Sequence, residues 1–359
     1  MGKIVFCIIP LIVFMGCASS EKVNTNHGQR DASQSVPDWV RDMEKVYPST
    51  DWVTVMGQAA EQKEAENIAI NALSRAFKTD ISSLTEANQQ FAQIVDDVAG
   101  KRSLTFNESK DFSINVKTGS SVKALIGMEI STFQSADRST WYVNARMNRR
   151  ESASRYAGMV RENVTVINRL LSRATALESR SGLEAFAALY YAVSIAQVTD
   201  NFQNILEVLD PSAVNRRPAY GGATTIKTRI LSVAGRITIG LRVETEDRQE
   251  SVTIRRALGA LFTGMGFKAN EQGKGDYTLT ATVTFETVDT TQTKTCRWFL
   301  DAVLEARDGK ALFSYTGQDR ATHLQDKEAR RLALRSVESS IKERDFAVHF
   351  VAWLGSLME

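Results

Sequence analysis

The sequence predicts an α+β protein with two β-α-β-β-β units, the second followed by a further helix. Their sheets are mostly antiparallel, and a helical segment joins them. Two stretches of the chain share the same order of a strand, an amphipathic helix and three alternating strands. Between them, apolar residues recur at spacings of three and four, which indicates helices. The predicted boundaries are 37–149 for the first unit, 150–218 for the helical segment and 224–359 for the second unit.

Composition and charge limit the classes of function. The 359 residues are 43% hydrophobic and 24% charged, with 44 Lys and Arg against 42 Asp and Glu. These are ordinary values for soluble domains, and a net charge of +2 argues against a nucleic-acid partner. The sequence contains no H-E-x-x-H, C-x-x-C or G-x-S-x-G motif. We therefore predict no catalytic residue, no metal site and no small-molecule cofactor.

The first residues are typical of an export signal. Lys3 precedes an almost wholly apolar run from Ile4 to Met15. The run would be about 18 Å long as a helix, too short for a hydrocarbon core of ~30 Å. It ends at Gly16-Cys17, which resembles the lipobox of bacterial lipoproteins. That resemblance implies a signal peptide at 1–16 and acylation of Cys17 by fatty acids such as palmitate. The alternative is an ordinary cleaved signal with an incidental cysteine.

Acylation of Cys17 would anchor the protein to a membrane, because two or more acyl chains give stable binding. Residues 17–36 have almost no apolar side chains, and we expect a disordered tether that spans about 25 Å. Ala18 rather than Asp follows the cysteine. By resemblance to the enteric sorting rule, this favours the outer membrane, with the folded part facing the periplasm. Cys7 leaves with the signal, so Cys296 remains and no intramolecular disulfide is expected.

The first unit begins with a strand at Trp52–Gly57 and a helix from Glu61 to about Phe77, with an extension to Val98 before Gly100. Three alternating strands follow. Their core-facing residues are Phe112, Ile114 and Val116; Val122, Ala124, Ile126, Met128 and Ile130; and Trp141, Val143, Ala145 and Met147. This order places the helix on one face of the sheet.

Four motifs of this unit resemble the LPP-twenty family of bacterial lipoproteins. They are Pro37-x-Trp39-Val40, Val53–Gly57, the alanine-rich stripe Ala65–Ala76 and Trp141-Tyr142-Val143. The pattern is also similar to the N-terminal domain of the flagellar outer-ring protein T. The resemblance covers residues 37–149 and implies a cell-envelope lipoprotein that is not an enzyme.

Elsewhere the same periodicities predict the remaining elements. The helical segment contains a helix ending near Leu177, a second starting at Leu183 and a third over Phe202–Leu209, stopped by Pro211. The second unit begins with a strand at Arg236–Glu244 and a helix capped by Asp247. Two strands follow, at Tyr277–Phe285 and Cys296–Leu304, and a turn at Asp308-Gly309 leads into a strand at Leu312–Thr316. The unit ends with a helix bearing Ala329, Leu332, Ala333, Val337 and Ile341.

Two features are candidates for binding. Alternating threonines share one face of a predicted strand, which is either offered to a partner or simply solvated; they are Thr278, Thr280, Thr282 and Thr284. Arginine pairs at 149–150, 216–217, 255–256 and 330–331 are predicted to be solvated helix ends. The same alternation predicts that Cys296 is buried with Trp298 and Leu300. His349 is predicted to be a core or rim residue rather than a base.

Together these observations favour a non-catalytic scaffold or adaptor for an envelope assembly of flagellar, secretion or peptidoglycan type. Its partners would be envelope proteins or peptidoglycan. The alternative is an envelope enzyme or transport component with a carboxylate site that the sequence does not reveal. The lack of nucleophile and metal signatures favours the first.

Overall fold

The computed structural model describes residues 35–77, 125–289 and 293–357. The predicted signal peptide, Cys17, nearly all of the tether, the helical extension to Val98, the strand at 112–116 and residues Val122 and Ala124 of the next strand lie outside the described residues. The prediction that this next strand includes Ile126 and Met128 is wrong, because residues 125–127 form a turn and the strand begins at Glu129. The described parts form a mixed α+β fold with two sheets, which confirms the predicted fold class. No helix within them is long and apolar enough to cross a membrane.

The first sheet has three strands and one helix packed against it. Two short helices, α1 (Asp38–Arg41) and α2 (Met43–Val46), precede it. Its elements are β1 (Trp52–Ala59), α3 (Gln62–Ala76), β2 (Glu129–Gln134) and β3 (Trp141–Asn148). The strands are antiparallel in the order β1-β3-β2. Alternate residues of β1 and β3 are buried on the α3 side, as the period-two pattern predicted: Val53, Val143, Ala145 and Met147.

Gly57 determines how closely α3 approaches β1. A Cβ atom at this position would lie 2.1 Å from the carbonyl oxygen of Ala65 and 2.7 Å from the backbone nitrogen of Ala69. Only a residue without a side chain permits that approach. The glycine of the strand motif and the alanines of the helix stripe are therefore two sides of one contact.

The opposite face of this sheet holds a polar cluster around Arg146. Its guanidinium forms an ion pair with Glu129 at 2.8 Å and donates to the Ser131 hydroxyl at 2.8 Å. The guanidinium carbon also lies 4.5 Å from the centre of the Tyr47 ring, a cation–π distance. These contacts fix the segment before β1 on the sheet.

Two long helices follow, α4 (Arg149–Leu177) and α5 (Gly182–Leu209), joined by a short turn that makes them antiparallel. The Asn148 side chain accepts the N–H of Glu151 and caps α4. The prediction of a separate third helix over Phe202–Leu209 is wrong, because this stretch is the last part of α5. Buried residues lie on nearly all sides of α5, so the one-sided period that marks a continuous helix is lost. The predicted stop is confirmed, since Pro211 opens the 3₁₀ helix Pro211–Arg216.

The second sheet is preceded by α6 (Gly222–Ala234), a helix that the sequence analysis did not assign. Its paired glycines and threonines favour turns and strands and conceal the helical spacing of its buried residues. The strands are β4 (Thr238–Glu244), β5 (Lys268–Asn270), β6 (Tyr277–Asp289), β7 (Lys294–Ala306) and β8 (Ala311–His323), in the order β5-β4-β6-β7-β8. β4 pairs in parallel with β5 and β6, whereas β6, β7 and β8 are antiparallel. β8 continues well beyond the predicted end at Thr316.

Three helices cover one face of the second sheet: α7 (Arg248–Gly264), α8 (Asp326–Glu343) and α9 (Asp345–Ser356). The Asp247 carboxylate accepts the first free N–H groups of α7, which confirms the predicted cap. Cys296, Trp298 and Leu300 are all buried beneath the helices, as the alternation predicted. His349 is an exposed rim residue of α9, with its ring centre 5.3 Å from that of Tyr315.

One continuous cluster of buried apolar residues runs from β1 through α5 to α9. On the side of the first sheet, the Tyr156 hydroxyl accepts the N–H of Ile126 at 3.0 Å, and the Tyr156 ring packs against Phe202. On the side of the second sheet, the ring centres of Phe186 and Phe267 are 4.4 Å apart. The helical segment therefore packs on both sheets.

Candidate functional site

The four predicted threonines lie on the face of the second sheet opposite α7, α8 and α9, which we call the open face. The residues that alternate with them on β6 are buried under these helices: Leu279, Ala281 and Val283. Thr278, Thr280 and Thr282 are half-buried, and Thr284 is exposed. They are not fully solvated because β6 is a central strand with β4 and β7 on either side. The structure brings the four side chains together, and their role as a contact stays a prediction.

Charged residues of both signs border the threonines. The Thr282 hydroxyl donates to the Glu244 carboxylate at 3.3 Å, and its register partner on β7 is Asp301. Arg242 is the register partner of Thr280 on β4. Two carboxylates against one guanidinium leave this half of the open face slightly acidic, in contrast to the other half.

The other half of the open face carries a basic patch, formed by Arg297 on β7 and Arg320 on β8. The two residues are register partners and lie directly opposite each other. Both are exposed, and neither has an ion-pair partner in the part of the chain that the structure describes. The exposed Glu286 on β6 is the other register partner of Arg297, so Arg320 is the residue of the patch that faces no acid on its neighbouring strand. Like charges directly opposite on neighbouring strands destabilise a sheet. A shallow depression of about 300 Å³ lies at this patch, bordered also by Phe299, Gln318 and Asp319.

β8 forms one edge of the second sheet. It has 13 residues and, among the described strands, pairs with β7 alone. The strand contains neither proline nor lysine, residues that commonly protect an edge from further pairing. Its outer N–H and C=O groups can therefore accept a strand from another protein.

The four arginine pairs have different roles in the structure. Their prediction as solvated helix ends is wrong for Arg149, Arg255 and Arg330, which are half-buried. Arg330 donates two hydrogen bonds to the Glu250 carboxylate, at 2.6 and 3.0 Å, and lies 5.0 Å from the centre of the Phe285 ring. The Glu250 carboxylate raises the pKa of Arg330. Glu250 is the one buried acid among the described residues, and this pairing gives it the structural role of joining α7 to α8.

Arg149, Arg150 and Arg216 come together with Arg161 around a groove of about 1170 Å³ between α4 and the end of α5. They are distant in sequence, and the antiparallel hairpin of α4 and α5 brings them together. Sequence reasoning missed this group because it treated each pair by itself. A weak signal was present, since residues 150, 153, 157 and 161 fall on one face of a helix and place two alanines between two arginines.

Within the described ranges, no group of three or more His, Cys, Asp or Glu side chains is placed so that it could hold a metal ion.

Comparisons with known proteins show no family for the chain. No protein-family model matches it, and no curated protein matches it significantly. Among solved structures, it is similar to the secreted protein HP1454 from the human pathogen Helicobacter pylori, with 11% sequence identity and a TM-score of 0.33. The match covers 82% of this chain and 99% of that chain. A likeness this low carries no argument about function.

Proposed function

We propose that the protein is a lipid-anchored, non-catalytic adaptor of the cell envelope, and that its second sheet binds a protein of an envelope assembly. In this proposal Cys17 carries the lipid and the folded part faces the periplasm. The short apolar run before Gly16-Cys17 and the polar tether support the anchor. The resemblance of residues 37–149 to the LPP-twenty family supports the envelope location.

The observation that carries the proposal is the combination of a long edge strand that lacks proline and lysine with two facing arginines that form no ion pair among the described residues. A strand added to β8 would place its side chains about 5 Å from those of β8 on the same face. An acidic residue on that strand would then lie beside Arg320 and within reach of the long Arg297 side chain. The partner segment is therefore extended and acidic, and it offsets the repulsion between the two arginines.

Photo-crosslinking tests the location of the contact. A benzoylphenylalanine in place of Gln318, which is exposed on β8, should capture a partner in living cells of the source organism. The same group at Ser172, exposed on α4, is the control and should not capture that partner. Equal capture from both positions would remove β8 from the proposal.

Neutralising Arg297 and Arg320 separates binding from folding. Arg297→Gln with Arg320→Gln should change the free energy of unfolding by less than about 1 kcal/mol, because the variant removes a like-charge pair and also the guanidinium opposite Glu286. The same variant should recover less of the crosslinked partner. Thr280→Lys with Thr282→Lys tests the other half of the open face and should also weaken recovery if that half takes part. Undiminished recovery by the glutamine variant would contradict an acidic partner strand.

An activity assay tests the non-catalytic part of the proposal. Purified protein should not turn over peptidoglycan or phospholipid. Turnover that is lost when one acid is replaced would overturn the adaptor role.

A further inference from the structure

The groove between α4 and the end of α5 lies away from the second sheet and has its own chemistry. The segment 49–51 and the 3₁₀ helix Pro211–Arg216 also contribute to its lining. Its volume of about 1170 Å³ exceeds the ~300–1,000 Å³ that is usual for small-molecule sites. A groove of this size between two helices suits a segment of another protein better than a small ligand.

The floor of the groove is apolar and follows the axis of α4. Small and β-branched residues of α4 form one side of this floor, and leucines of α5 form the other side. They are Ala153, Ala157, Val160, Val164, Leu206 and Leu209. Spacings of three and four place the α4 residues in one line along the helix. Alanines in that line allow the backbone of a third helix to approach α4 closely, within the 8–10 Å usual for packed helices.

The rim of the groove is basic. Arg150 and Arg161 are exposed on α4 and have no ion-pair partner within the described residues. Arg149 donates to the backbone carbonyl oxygens of Ser49 at 2.8 Å and Val208 at 2.5 Å. It stabilises the C-terminus of α5, and it forms no ion pair with a carboxylate of the described residues.

The acidic residues of the lining do not offset this charge. The hydrogen bond from Ser212 and the adjacent Arg216 lower the pKa of Asp210. The Asp210 carboxylate forms an ion pair with Arg216, so it offsets the charge of Arg216 and not that of the arginines of α4. Asp51 is the other acid of the lining, whereas α4 contributes three arginines to it. The groove therefore keeps a net positive charge around an apolar floor.

We propose that this groove binds an amphipathic α-helix of a partner protein, with an apolar face and an acidic residue towards each end. Arg150 and Arg161 are eleven residues apart on α4, or about 16.5 Å along the axis. A helix packed alongside α4 matches that distance when its two acids are also eleven residues apart. The apolar face fills the groove as the third helix of a bundle does. The proposal is independent of β8 and the open face.

The test uses the full-length protein and a panel of fluorescent helical peptides. Each peptide has leucines on one face and two glutamates placed seven, eleven or fourteen residues apart, and a matched peptide has lysines instead. Fluorescence anisotropy should show saturable binding that is strongest at the spacing of eleven and absent for the lysine peptide. No saturable binding by any acidic peptide, or equal binding by the lysine peptide, would overturn the proposal.

Charge exchange supplies the control. Arg150→Glu with Arg161→Glu should weaken the acidic peptide about tenfold, as expected for two exposed ion pairs, and should create binding of the lysine peptide. Arg169→Glu makes the same kind of change at an exposed position on α4 outside the groove. It should change the affinity for neither the acidic peptide nor the lysine peptide. Ala157→Trp should block the acidic peptide by filling the floor.

Two other occupants give distinct results that would also overturn the proposal. Binding to vesicles with about one-third phosphatidylglycerol that depends on Arg150 and Arg161, without peptide binding, would assign the groove to a membrane surface. A dimer in sedimentation that the Arg150→Glu and Arg161→Glu changes abolish would assign the groove to a second copy of the chain.

Discussion

Replacing Gly57 by alanine tests the contact between β1 and α3. The new methyl group would lie 2.1 Å from the Ala65 oxygen, whereas ordinary contact begins near 3.4 Å. α3 would have to move away from β1 by about 1.3 Å, and rotamer changes cannot relieve the contact because the opposing atoms belong to the backbone. Overpacking of this kind costs about 1–3 kcal/mol and occasionally more. We expect about 3 kcal/mol, since the shift also separates Val53 from the buried residues of α3.

Urea unfolding followed by tryptophan fluorescence measures the effect. With an m-value of about 3 kcal/mol/M, the midpoint of Gly57→Ala should fall by about 1 M. Gly158→Ala is the matched control, because nothing lies within 4 Å of a Cβ at this position in α4. Removal of a mid-helix glycine should stabilise the protein by about 1 kcal/mol. A midpoint for Gly57→Ala that equals the wild-type value would show that α3 does not pack on β1 as described.

Three further predictions concern the lipid, the thiol and pH. Palmitate labelling should mark the wild-type protein and miss Cys17→Ser; equal labelling of both would refute the anchor. Burial raises the pKa of the Cys296 thiol, so protein lacking Cys17 should react slowly with a thiol reagent until it is unfolded, and fast native labelling would contradict the strand register. The hydrogen bond from Arg229, aided by Arg236, lowers the pKa of Glu178. The stabilisation of the fold by ionised Glu178 is therefore fully present above about pH 4.5, the ordinary pKa of this side chain, and is lost as the pH falls through the lowered value. Glu178→Gln should remove up to ~1 kcal/mol at neutral pH and flatten the acid limb of the stability curve, and an unchanged limb would contradict the pairing.

The candidate sites were predictable to different degrees. The shared face of the four threonines follows from alternation along one strand, which needs no knowledge of the neighbouring strands. The basic patch does not follow from the sequence, because the pairing of Arg297 with Arg320 depends on the register of two strands. The arginines of the α4–α5 groove required knowledge of how a helical hairpin folds back. In each case the missing information is a contact between distant parts of the chain.

The amino-acid sequence by itself determined the local features of this protein. Period-two alternation placed Cys296 on the buried side of its strand, the Asp247 side chain capped α7, and Pro211 ended α5. These outcomes depend on neighbours within a few residues, so side-chain size, polarity and backbone preference suffice.

Only the tertiary structure decided which elements meet. It made β4 parallel to β6, left β8 at the edge, merged two expected helices into α5 and gathered arginines from α4 and the 3₁₀ helix around one groove. A hydrophobic period reports that a face is buried and does not say what covers it. Strand order, edges and grooves arise from the best joint packing of all the faces, which is a property of the whole chain.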